Sequence, residues 1–170
     1  DVDAVNFGLA AFRFDLLSHQ PHPPGYPGYV VLLKAVHLVA PGLDPVGVAT
    51  VTCRLTSVGT VLAAWWATRA LLALSTDDDA LSPLWRPLFA AALAALHPLL
   101  WYYGADGQSH AAEALFALLL VGGAATVKRA PSLMRIAVFA GALGLAGAVR
   151  PTLALLNGPL LVWLLWGRAW

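Results

Sequence analysis

Along this chain, long apolar stretches alternate with short polar breaks, and the breaks carry the special residues. From Asp1 to Leu17, Val5, Leu9, Phe12 and Leu16 recur at helical spacing, while Asp1, Asp3, Asn6, Arg13 and Asp15 are polar. The stretch is too short and too charged to span a bilayer, so the pattern predicts a helix lying in the interface. His19 to Tyr29 then reads His-Gln-Pro-His-Pro-Pro-Gly-Tyr-Pro-Gly-Tyr. Pro21, Pro23, Pro24 and Pro27 exclude a helix there and predict a rigid, extended strap carrying imidazoles and phenols. Tyr26 to Ala40 is apolar but interrupted by Lys34 and His37. At about 1.5 Å per residue it falls short of a hydrocarbon core of about 30 Å, which predicts a second interfacial helix. Pro41 to Pro45 closes it as a turn.

Spans follow. Val46 to Leu74 is the first, with Arg54 near its start and Arg69 near its end, both able to snorkel. Ser75 to Arg86 is a polar loop holding Asp77, Asp78 and Asp79, read as solvated. Phe89 to Tyr103 returns, kinked at Pro98, with Trp101, Tyr102 and Tyr103 as an aromatic belt. Gly104 to His110 is a short polar loop. Ala111 to Val127 is the third span, with Glu113 in its first turn. Ile136 to Val149 and Thr152 to Trp166 are shorter runs separated by Arg150-Pro151. The expected fold is therefore all-α: a polytopic membrane helical bundle of about five transmembrane helices plus two interfacial ones.

This order fixes sides. Lys128, Arg129, Arg135 and Arg168 gather on one side, which the positive-inside rule makes cytoplasmic. The strap, Asp1, Asp3, Asp106, His110, Glu113 and Arg150 all fall on the other.

Composition agrees. The chain is 59% hydrophobic and 11% charged, with seven Trp, whereas soluble domains carry about a quarter charged residues. A net charge of +1 gives no footprint for nucleic acid. The single Cys53 excludes an internal disulfide and a cysteine metal cluster. The chain opens on Asp1 rather than Met and closes on Trp170, so it reads as a fragment of a longer protein with a span upstream. Residues 1–170 form one membrane domain, with 1–45 as an external loop bearing the interfacial helices and 46–170 as the transmembrane helices.

The outer face thus collects carboxylates (Asp1, Asp3, Asp106, Glu113), histidines (His19, His22, His110) and cations (Arg54, Arg150). Two chemistries suit them. In one, a carboxylate deprotonates a hydroxyl acceptor while Arg or His holds the phosphate of a lipid-linked donor. In the other, the same groups line a path through a transporter. Each residue also has a plainer role. Asp3 would cap a helix, Arg54 would snorkel, and Tyr26 and Tyr29 would anchor at the interface. Trp65, Trp66, Trp163 and Trp166 would pack or form a belt.

Asp-Val-Asp-Ala-Val-Asn-Phe over 1–7, followed by His-Pro-Pro-Gly-Tyr-Pro over 22–27, resembles the first external loop of the GT-C superfamily of polyprenyl-phosphate-sugar-dependent glycosyltransferases. The likeness is closest to the protein O-mannosyltransferase-like branch, glycosyltransferase family 39 and its bacterial relatives. It implies a GT-C-like fold and an inverting transfer, with Asp3 (or Asp1) as base and Asp106 (or Glu113) as a second catalytic acid. Asp1, His22, Arg54, His110, Glu113 and Arg150 would bind substrate. No cofactor is implied, although some GT-C enzymes use an Asp-x-Asp metal site, which Asp1 and Asp3 would supply. The implied partners are a polyprenyl-phosphate sugar donor, the lipid bilayer and an acceptor of unknown kind. The implied location is a bacterial inner or plasma membrane, active face outward. The alternatives are a non-enzymatic transporter or flippase of lipid-linked saccharides, and an assembly subunit that kept the scaffold without catalysis.

Overall fold

A computed structural model describes residues 2–74 and 84–166. Asp1, Asp77–Asp79 and Arg168 lie outside them. Among the described residues there are eight helices and no strand beyond an isolated Asp15–Gln20 bridge.

Helix α1 (Val2–Phe12) stops short of the expected Leu17. The reason is local. The Asp15 carboxylate accepts from the Leu17 and Ser18 amides at 3.1 and 3.3 Å and from the Ser18 hydroxyl at 2.9 Å. Such side-chain bonds compete with helix continuation. Its buried face is Ala4, Phe7, Gly8, Ala10 and Ala11, packed against α3. Of the Val5–Leu9–Phe12 stripe, Val5 and Phe12 are 39% and 48% exposed and Leu9 is half-buried, although the Phe12 ring also packs on His37, 4.1 Å away. That is the arrangement an interfacial helix needs: a small-residue face to the protein and a larger apolar face to lipid.

The strap crosses α1 and enters α2 (Pro27–Val39). His19, Gly25 and Tyr26 have φ of 54°, 93° and 42°, so this connector is bent by left-handed residues as well as by prolines. Helix α3 (Pro45–Leu72) is capped by Asp44, whose carboxylate accepts from the Gly47 amide at 2.9 Å. On its buried side Thr52, Thr56 and Thr60 donate to carbonyls four residues back at 2.8, 2.9 and 2.8 Å, so each hydroxyl is satisfied in the apolar interior.

Helices α4 (Trp85–Leu96) and α5 (Pro98–Asp106) meet at the expected Pro98 kink, bent by 55°. The break strands carbonyls, and Trp101 Nε1 donates to the oxygen of Ala95 at 2.6 Å. Helix α6 (His110–Arg129) runs parallel to α3; Thr60 reaches Ala111 near one end, and Gly122 abuts Trp66 and Ala67 further along. Helices α7 (Leu133–Val149) and α8 (Pro151–Leu165) divide at Arg150-Pro151, as expected. Helices α3 and α6 are long and apolar enough to cross a membrane, and α4–α5 makes a third span if its halves count as one. With 17 and 15 residues, α7 and α8 are shorter apolar helices, so two or three of the described helices meet the length where about five spans were expected.

The bundle therefore has two chemically distinct ends. One gathers α1, α2, the starts of α3, α6 and α8, and the ends of α5 and α7. The other carries Arg69, Lys128, Arg129 and Arg135. There Lys128 Nζ donates to the Trp163 carbonyl at 3.1 Å and lies 5.1 Å from the Trp163 ring. Arg135 donates to the Ala130 carbonyl at 2.7 Å.

Candidate functional site

Asp3 sits in the first turn of α1, where the helix dipole favours a carboxylate. Its Oδ1 is 3.5 Å from His22 Nδ1. One turn on, the buried Phe7 meets His22, Tyr26 and Tyr29 edge-on, at ring separations of 5.4, 5.4 and 5.1 Å. Such edge-to-face packing fixes ring orientation. Phe7 thus clamps the strap onto α1 and holds His22 beside Asp3.

A second group forms where α5, α6, α7 and α8 meet. Arg150, between α7 and α8, donates through Nη1 to Glu113 Oε2 at 2.7 Å and also meets His110 Nδ1. Thr152 donates its hydroxyl to Glu113 Oε1 at 2.5 Å. Both oxygens of Glu113 are therefore engaged. The Tyr103 ring lies 4.4 Å from that of His110. The side chains of Arg150 and Glu113 are 22% and 24% exposed, so the pair is half-withdrawn from solvent yet reachable. Through Nη1 the guanidinium is spent on Glu113 and His110, and its fork carries three further N–H groups on Nε and Nη2.

The two groups are joined by the turn between α5 and α6. Gly107 closes α5 with φ 80°, and a Cβ there would come 2.8 Å from that of Ala4 and 3.3 Å from that of Ala49. Only glycine lets this turn pass so close beneath α1. Asp106 stands just before it, half-buried and within electrostatic reach of Tyr29 and His110. Asp3, His22, Asp106, His110, Glu113 and Arg150 therefore occupy the same end of the bundle.

Arg54 does not join them. It is exposed and lines a separate groove of about 590 Å³ between α3 and α4–α5, with Ser57, Val58, Val61 and Trp101. The helical turn carries it to the far side of α5 from Arg150. Asp1 lies outside the described residues, and with it the Asp1/Asp3 metal alternative. Sequence reasoning missed Thr152, Tyr103 and the fastening roles of Phe7 and Tyr29. Thr152 had a faint signal, standing beside Arg150-Pro151 at a helix start. Tyr29 and Tyr103 were visible only as an interface anchor and a belt residue, and Phe7 gave no signal.

Below the Arg150 group opens a cleft of about 580 Å³. His110, Glu113 and Tyr103 line its polar end. Leu93, Leu99, Leu100, Ala114, Ala117, Leu153 and Leu156 make its apolar walls between α4–α5, α6 and α8, with His97, Thr60 and Asn157 as the remaining polar lining. The shape suits an amphiphile with an anionic head and a hydrocarbon tail.

A family model described as "Protein O-mannosyl-transferase TMEM260 N-terminal domain" matches residues 5–170. No curated protein and no solved structure gives a significant match.

Proposed function

The chain belongs to the protein O-mannosyl-transferase TMEM260 N-terminal domain family, and on that footing we propose that it carries the donor-binding and acid–base face of a GT-C-type membrane glycosyltransferase. The observation that carries this reading is the cleft whose apolar walls end at His110 and Glu113, the two side chains that Arg150 bonds from behind. A polyprenyl-phosphate sugar would lay its lipid along Leu100, Ala117 and Leu156 and set its phosphate against Arg150. Glu113, itself held by the Thr152 hydroxyl, keeps the guanidinium in place, so that little ordering remains to be done when donor arrives.

The transfer follows from that placement. An acceptor hydroxyl entering beside α1 loses its proton to Asp3 as its oxygen attacks the anomeric carbon. The bond from that carbon to the phosphate oxygen breaks, and the electron pair leaves on polyprenyl phosphate, stabilised by Arg150. Attack opposite the leaving group inverts the anomeric carbon. His22 orients Asp3, and Asp106 stands by as the second acid. The site end faces outward and the basic end inward, in keeping with the positive-inside rule.

The test uses the full-length protein and a labelled lipid-linked sugar. Asp3→Asn lowers transfer about 10²- to 10⁴-fold, the usual span for loss of a general base. Asp106→Asn is assayed beside it. Unchanged transfer by both overturns the assignment. Movement of the donor across proteoliposomes with no sugar transferred identifies a carrier instead.

A further inference from the structure

Gly28 and Tyr29, adjacent at the start of α2, touch opposite halves of the site, and neither belongs to it. The Tyr29 phenol is fully buried and donates toward the carbonyls of Gly107 and Gln108 at 3.2 and 3.1 Å. Cys53, from α3, donates its thiol to the same Gln108 oxygen at 2.9 Å and lies 3.3 Å from the phenol. These carbonyls belong to the turn that follows Asp106 and precedes His110. On the other flank, a Cβ at Gly28 would fall 2.6 Å from the Val149 nitrogen and 2.7 Å from the Ala148 carbonyl carbon. That backbone runs straight into Arg150. The Tyr29 ring also packs on Phe7, one turn beyond Asp3.

We propose that Tyr29 is a positioning residue: its hydroxyl fixes the 106–110 turn at a set distance from the Arg150 backbone, and so sets the geometry of the donor-phosphate group. The inference rests on the reading of that group given above. The mechanics are specific. The hydroxyl holds the turn, Gly28 holds the end of α7, and one short stretch of helix connects them. A rigid site of this kind is only as exact as the shell behind it. Burial, and after it the neighbouring Cys53, push the phenol well above its ordinary pKa, so it remains a neutral donor at any working pH. Asp3 is tied to α2 through the Phe7–Tyr29 ring contact instead, which survives loss of the hydroxyl.

The discriminating variant is therefore Tyr29→Phe in the full-length protein, compared with Arg150→Ala. Tyr29→Phe is expected to raise the KM for a polyprenyl-phosphate sugar about tenfold while the acceptor KM stays put, because a displaced donor group costs binding in proportion to its misplacement. Amide hydrogen exchange over 106–110 quickens in the same variant and is unchanged over α1. A purely structural role would lower kcat through a smaller folded fraction and leave both KM values and local exchange as they were; that result overturns the proposal. Unchanged exchange over 106–110 overturns it as well. If exchange quickens but neither Tyr29→Phe nor Arg150→Ala moves the donor KM, the lock stands and the donor reading of the Arg150 group fails.

Discussion

Arg150 shows what a residue in this site has to satisfy. A half-buried guanidinium is costly without a partner, and Glu113 supplies one at 2.7 Å with Thr152 saturating the second oxygen. Glu113→Gln keeps the shape and removes the charge. It is expected to lower stability by about 1.5–3 kcal/mol, the usual range for bonds to charged groups. Thermal unfolding in detergent of Glu113→Gln, Arg150→Gln and the double variant checks this: the effects should be non-additive, and simple additivity would mean that the pair is uncoupled. The sequence put Asp3, His22, His110, Glu113 and Arg150 on one face because topology alone sends them there. It could not separate Arg54, since a helix face within a span is decided by packing. Nor could it see that Tyr29, read as an interface anchor, is wholly buried with its hydroxyl bonded to a turn far along the chain.

At the scale of elements, the strap and α2 act as one connector. The prolines made the strap legible, because fixed φ and missing donors exclude a helix in any context. Pro98 and Arg150-Pro151 marked the other breaks for the same reason. The end of α1 was not legible, because it depends on Asp15 turning back on Leu17 and Ser18. Those Ser18 bonds hold the Asp15 carboxyl below its ordinary pKa. The turn is therefore tightest above the usual carboxylate range and loosens as pH falls through it. Gly28 gives a sharper test. Gly28→Ala drives a methyl into the Ala148–Val149 backbone, so it should destabilise by about 1–3 kcal/mol despite the better helix propensity of alanine. An unfolding midpoint equal to or above that of the parent would show that α2 and α7 are not in tight contact.

For the whole molecule, the account needs the site end and the basic end on opposite sides of a membrane. Leu17 is 96% exposed at the first end and Met134 is 73% exposed near the second, so a cysteine at either position is not buried by the protein itself. In sealed cells an impermeant thiol reagent should label Leu17→Cys from outside and Met134→Cys only after permeabilisation; Cys53 is buried and stays silent. Labelling of both from one side would break the topology. The number of breaks, their order and the charge bias were readable from sequence because each is a one-dimensional property. The two grooves flanking α5 were not, because they arise from how α3, α6 and α8 pack around a helix bent by 55°. Which groove takes the donor lipid is the central claim. The most direct measurement is photocrosslinking of the full-length protein with a polyprenyl phosphate carrying a diazirine in its first isoprene units. Crosslinks are expected on Ala114, Ala117 and Leu156, and Arg150→Ala should abolish them. Crosslinks on Val58 and Val61 beside Arg54, indifferent to Arg150→Ala, would contradict the account.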